Sequence, residues 1–297
     1  MVGDAWFNRF LEDNHILPRI KIENFLLVSL SLRPCSLMTL PAELQDASAI
    51  GGAIDEQVLP KLKGVRSEQD PLKKLKLIEA LKKEMRLAYD EAMKGSEQYK
   101  SHRFWVEQLG LRNVTVSVRP TVEELYIFRE NDIGKRLRKL MKDREKYRAK
   151  AIASARPGME RSRYAFPEEF QSSWIMEIGE ILGYPACCVE AYASNREEEI
   201  NVEFRASRQI EEAMKRGILN PLTYFVGYFF PCSPYCDEAL ARGSRYREHL
   251  SELHPRLGDI YLNSVAKNME RVRRQPEITE KYKARAKTIL QQKSNVY

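Results

Sequence analysis

The clearest periodic segment runs from Leu72 to Ala92, where Leu72, Leu75, Ile78, Leu81, Met85, Ala88 and Ala92 recur at intervals of three and four. That is the repeat of one helix face. Asp70 followed by Pro71 supplies a cap for the free amides and a residue preset for the first helical position, and Gly95 supplies a stop. HRFWVEQLG continues helically. NVTVSVR then changes the period to two, with Val114, Val116 and Val118 on one side, and ELYIF follows a turn at Pro120, which predicts a small hairpin.

The same reading predicts a helix from about Asn131 to Ala155, with Ile133, Leu137, Leu140 and Met141 on its apolar side and polar residues thereafter. FQSSWIMEIGEILG is a further amphipathic helix stopped by Gly183, and helices are expected at EFRASRQIEEAMKRG, SRYREHLSELH and LGDIYLNSVAKNMERVRR, with a basic tail after Pro276. Upstream, ILPRIKIENFLLVSL reads as one or two strands with Pro18 at an edge, and GGAIDEQVLPKLKGVRSEQ as a loop or short helix. The fold class is therefore α+β, predominantly helical, with a small antiparallel strand element in the N-terminal half. RPGMERSRYAFPEEF is the best linker, dividing an N-terminal region, 1–156, from a C-terminal helical domain, 157–297.

Composition narrows the setting. No apolar run reaches the roughly 18 residues needed to span a bilayer, FLLVSLSL being far too short, so the expectation is a soluble cytoplasmic protein without a membrane partner. The net charge of +7 is unevenly placed: residues 134–163 hold twelve Lys or Arg against three Asp or Glu, and residues 256–297 hold ten against four. The rest of the chain is thus net acidic. Two basic segments on an acidic body suit RNA or another polyanion, with Lys135, Arg136, Arg138, Lys139, Lys142 and Arg144 as the candidate contacts.

The candidate chemistry lies in sulfur. Of five cysteines, Cys187 and Cys188 stand in GYPACCVEAY, and Cys232 and Cys236 in FFPCSPYCDEAL. Gly183 ends one helix and Pro185 can begin the next, so Cys187 and Cys188 fall in an opening turn; Ser233 as cap and Pro234 after it would put Cys236 in another, with Cys232 just outside. Unpartnered amides and the positive dipole end at a helix start favour a thiolate, the form that binds metal or attacks an electrophile. Converging there, the four sulfurs would make one centre.

The spacing of Cys232 and Cys236 suits one ion, whereas adjacent cysteines on a helix diverge by roughly 100°. This favours an iron–sulfur cluster over zinc, with Cys187, Cys188, Cys232 and Cys236 as ligands and zinc as the alternative. Cys35 joins only if the N-terminal segment folds back. A non-enzymatic helical protein, with disulfides between the two motifs and basic partner-binding faces, is the competing reading, because highly charged, thermophile-like chains include cytosolic proteins that keep disulfides. A redox thiol pair, with Cys232 or Cys236 attacking, and plain packing complete the set.

Other catalytic patterns are missing. There is no H-E-x-x-H, no glycine-rich phosphate loop and no nucleophile elbow. His249 lies on roughly the opposite helical face from Cys236, and Glu177, Glu180 and Glu190 are the nearest acid or base candidates. Tyr184, Tyr192, Tyr224, Phe225, Tyr228, Phe229, Phe230 and Tyr235 would pack as core or stack on a base.

GYPACC and PCSPYC, in this order with a helical stretch between them, resemble a mainly archaeal group, domain-of-unknown-function family 483. The resemblance covers residues 120 to 270 and is strongest at Gly183, Tyr184, Pro185, Cys187, Cys188, Pro231, Cys232, Ser233 and Cys236. It implies that the sulfurs are a family signature and that the setting is an archaeal cytoplasm. It implies no reaction.

Overall fold

A computed structural model describes residues 4–154 and 166–292. The chain forms two units, 1–138 and 139–297. Most of the expected linker, residues 156–165, lies outside the described residues.

In the first unit, α1 (Asp4–Glu12) is followed by a continuous helical stretch: α2 (Pro18–Ile20), a π-helical segment Lys21–Leu26 and α3 (Leu27–Ser29). The strands expected here are therefore helix. A segment buried on all sides lacks the polar face whose period would distinguish the two states. All six residues of the π segment are buried, including Lys21, Glu23 and Asn24. Their polar groups are satisfied inside: Lys21 Nζ donates to the Leu11 carbonyl at 2.5 Å, and Asn24 Nδ2 to that of Leu37 at 3.1 Å.

β1 (Cys35–Leu40), β2 (Arg112–Arg119) and β3 (Val122–Phe128) make an antiparallel sheet of order β1-β3-β2, with both Cys35 and Arg112 opposite Phe128. The predicted hairpin is β2 and β3. Its central strand β3 carries the continuous buried run Leu125–Phe128, the pattern of a strand covered on both faces.

α4 (Ala47–Ser67), where a loop or short helix was expected, is a helix of 21 residues and packs on α5 (Pro71–Gly95). Its glycines and Pro60 suggested a break, but burial of Ile50, Ile54, Val58 and Val65 at helical spacing outweighs their propensity. α5 starts as predicted, with the Asp70 carboxylate accepting from the amides of Leu72 and Lys73. α6 (Glu97–Gln108) completes the core, where the Trp105 ring lies 4.8 Å from that of Phe10.

α7 (Asn131–Ala153) runs from the first unit into the second. The second unit continues with α8 (Ser172–Ile181), α9 (Ala186–Glu197), α10 (Val202–Met214), a 3-10 turn at Pro221–Tyr224, α11 (Asp237–Leu253) and α12 (Pro255–Gln292). α12 packs on α10 and α11 and continues through Pro276, where a tail was expected. Proline removes one main-chain bond from a helix, a loss that a long packed helix can absorb. Phe229, Phe225, Tyr246 and Tyr261 form an aromatic chain with successive centroid distances of 4.5, 5.8 and 6.4 Å. Among the described residues the chain is predominantly helical with one small antiparallel sheet, and no helix there is long and apolar enough to cross a membrane.

Candidate metal centre

The centre begins with the end of α8. The Gly183 amide donates to the Glu180 carbonyl at 2.9 Å and the Tyr184 amide to that of Gly179 at 2.9 Å. This closing pattern needs a left-handed residue, and Gly183 has φ +74°. The chain reverses and α9 starts after Pro185, which serves as the cap rather than as the first helical residue. Cys187 and Cys188 sit in the opening turn. Gly179 allows α8 and α9 to approach closely, because a methyl there would lie 2.5 Å from a Val189 methyl.

The second motif differs from expectation. Ser233 and Pro234 build a turn rather than a helix start: the Cys236 amide donates to the Ser233 carbonyl and the Tyr235 amide to Ser233 Oγ, both at 3.1 Å. That turn delays α11, so Cys236 is its cap. Cys232 and Cys236 thereby face one another across the turn.

All four sulfurs meet. The Sγ atoms of Cys187, Cys188, Cys232 and Cys236 lie within 4.8 Å of one another. Cys187 and Cys188 are each 3.6 Å from Cys236 and 3.9 Å from each other, so adjacency in sequence does not drive these two sulfurs apart. A disulfide requires about 2 Å, and all five cysteines are free. Cys188 and Cys236 are buried, whereas Cys187 and Cys232 are partly open to solvent. The Cys232 amide points at Cys188 Sγ at 3.4 Å, an orientation that stabilises sulfur carrying negative charge.

Burial pushes the Cys187 thiol up to about 12, with a further rise from the neighbouring Cys236. Burial likewise raises Cys188 and Cys232. At Cys236 burial acts in the same direction but is outweighed by the Ala239 amide and the surrounding thiols, and the net shift is downward. One sulfur is thus favoured as thiolate, with three thiols oriented around it.

Three side chains that sequence reasoning missed hold the motifs in place. Arg205 Nη2 donates to the Pro231 carbonyl at 3.1 Å and Gln209 Nε2 to the Cys232 carbonyl at 3.4 Å, both from α10. Arg242 of α11 donates to the Gly183 carbonyl. Burial lowers the Arg205 pKa and outweighs the opposite pull that Cys232 and Cys188 would exert as thiolates. The i, i+4 spacing of Arg205 and Gln209 places them on one face, but nothing local to either indicates a loop some twenty residues away.

The remaining candidates lie elsewhere. Cys35 is buried at the start of β1, its thiol pushed up to about 12 by burial, and is not part of the sulfur group. His249 Nδ1 faces the Arg245 carbonyl at 2.9 Å. Glu180 and Glu190 are exposed and Glu177 is half-buried. Tyr224, Phe225 and Phe229 are core, Tyr184 and Tyr192 pack around Ile175 and Val189, and Phe230 packs against Ile210 and its neighbours; Tyr228 and Tyr235 are exposed. On α7, Lys135, Arg138, Lys139 and Lys142 are exposed and Arg136 is half-buried, but Arg144 is only 1 % exposed and presents no charge to a partner.

The chain is 30 % identical over 127 residues to "Uncharacterized protein MJ1106" of Methanocaldococcus jannaschii, a match covering 41 % of this chain and 64 % of that protein, so less than two thirds of the relative's length is spanned. No solved structure matches. Residues 153–257, the segment holding all four sulfurs, match the model of the family described as "Protein of unknown function (DUF483)".

Proposed function

We propose that Cys187, Cys188, Cys232 and Cys236 hold a single zinc ion, and that this centre is structural, fastening the start of α9 to the turn before α11. The observation that carries the reading is the separation of the sulfurs, all within 4.8 Å. A tetrahedral zinc ion with Zn–S bonds of about 2.3 Å sets its sulfurs about 3.8 Å apart, close to the 3.6–3.9 Å of the three closest pairs. A four-iron cluster holds each cysteine on a different iron, and its sulfurs stand roughly 6 Å apart. The spacing therefore favours one ion over the cluster.

Four protein ligands fill a tetrahedral ion and leave no position for substrate, which is the pattern of structural zinc. The bound ion would supply no reaction here; it would neutralise thiolates and link two loops. Arg205 offsets the remaining negative charge of a tetrathiolate, and the Cys232 amide orients Cys188. Such thiols must stay reduced, which suits the cytoplasm.

Elemental analysis of anaerobically purified protein tests this. One zinc per chain is expected, and replacement by cobalt should give tetrahedral ligand-field bands with thiolate-to-metal charge transfer, both lost in Cys188→Ser. Iron with acid-labile sulfide, or no metal, would overturn the proposal.

A further inference from the structure

α7 carries a feature unrelated to the sulfur centre. Lys139, Lys142, Lys146 and Lys150 are all exposed. At 100° per residue they fall within an arc of roughly 80°, which also contains Lys135, and Arg138 of the same helix extends that arc to roughly 120°. Leu137, Leu140, Met141 and Arg144 occupy the opposite side and are buried. The cations thus form one continuous row, about 17 Å long from Lys139 to Lys150 at 1.5 Å per residue. Asp143 pairs with Lys146 at 2.7 Å from within the row, and Asp132 with Lys135 at 2.9 Å, so the row keeps a net positive charge.

We infer that this row is a docking surface for the phosphate backbone of a nucleic acid duplex. Three properties favour that occupant. The row is linear and made of long, solvated side chains, as contact with a polyanion of regular charge requires; a duplex offers one charge per about 1.7 Å of its axis. It contains no exposed aromatic residue on which unpaired bases could stack. A lipid surface would need apolar residues facing outward beside the charges; Leu137, Leu140 and Met141 are turned into the protein, and the exposed Ile152 lies roughly 120° around the helix from the centre of the lysine row. Contacts of this kind position a nucleic acid without reading its sequence. Arg136 and Arg144, basic in sequence but set back from the surface, take no part, whereas Lys146 and Lys150 do.

The test is fluorescence anisotropy of the full chain with a fluorescein-labelled 20-base-pair RNA duplex across a potassium chloride series. Binding at 50 mM salt is expected, with log K falling against log salt at a slope of about −4, one unit per lysine engaged. Lys139→Glu/Lys142→Glu/Lys146→Glu should bind at least about tenfold more weakly and with a shallower slope, at unchanged circular dichroism. Lys63→Glu/Lys73→Glu/Lys76→Glu, the same charge change at exposed sites of the first unit, should keep most of the affinity. Absence of binding at 50 mM salt, equal losses in both triple variants, or displacement by poly-glutamate as effective as by unlabelled duplex would each overturn the inference.

Discussion

The two units solve the same problem, securing irregular chain, with different chemistry. In the first, buried charges and hydrogen bonds secure it. Asp13 accepts from Ser101 Oγ at 2.5 Å, Trp105 Nε1 at 2.6 Å and the His15 amide at 2.8 Å, tying the end of α1 to α6. Glu43 accepts from Arg19 at 2.5 Å and from the Thr39 amide at 2.7 Å, bracing the turn after β1. In the second unit the loops before α9 and α11 are held by converging sulfur and by arginines on main-chain carbonyls. Carboxylate networks are complete once the chain folds. Four sulfurs drawn together are a set of three thiols raised by burial and one lowered by its neighbours, which the proposed zinc ion would complete.

The comparison is broken most directly by removing metal. Chelation, or Cys236→Ser, should lower the unfolding midpoint of the second unit by about 10 °C or more. Amide exchange should accelerate across residues 183–242 while residues 16–28 stay protected; equal acceleration in both would show that the units do not differ in this way. Next comes Glu43→Ala, which removes one partner of a buried pair and should cost about 3 kcal/mol in urea unfolding, with no change in metal content.

The smallest effect concerns acid. Burial raises the Asp13 carboxyl, but its hydrogen bonds from Ser101 and Trp105 outweigh this and hold it below the usual carboxylate range. A group depressed by folding stabilises the native state above its unfolded pKa, and that contribution is lost as pH falls through the folded value. Stability of the first unit should therefore fall as pH drops from about 5 through the folded Asp13 value, below 3.8, and Asp13→Asn should flatten the dependence.

The clearest sequence features were those written in neighbouring residues. Asp70 and Pro71 mark the start of α5, the alternating valines mark β2, and Gly183 marks the reversal before Cys187. The failures share a cause. α2, α3 and the π segment carry polar residues satisfied by distant carbonyls, so they lack the polar face of a surface helix and their short apolar runs read as strand. β1 is a strand because β3 pairs with it, across some ninety residues. The expected divergence of Cys187 and Cys188 came from the helical angle alone, whereas side-chain rotation brings their sulfurs to 3.9 Å.

Sequence by itself determined the extent of α5, α7, α8 and α10 to within a few residues, that four cysteines lie in two short motifs beside helix starts, and that α7 is basic. These follow from short-range sterics, capping and period, which act over a few residues. Only tertiary structure decided that the two turns meet, that Cys35 stays apart, that Arg144 is enclosed, and that Arg205, Gln209 and Arg242 hold the loops. Those outcomes depend on which faces pack together, and packing joins residues whose separation along the chain leaves no local trace.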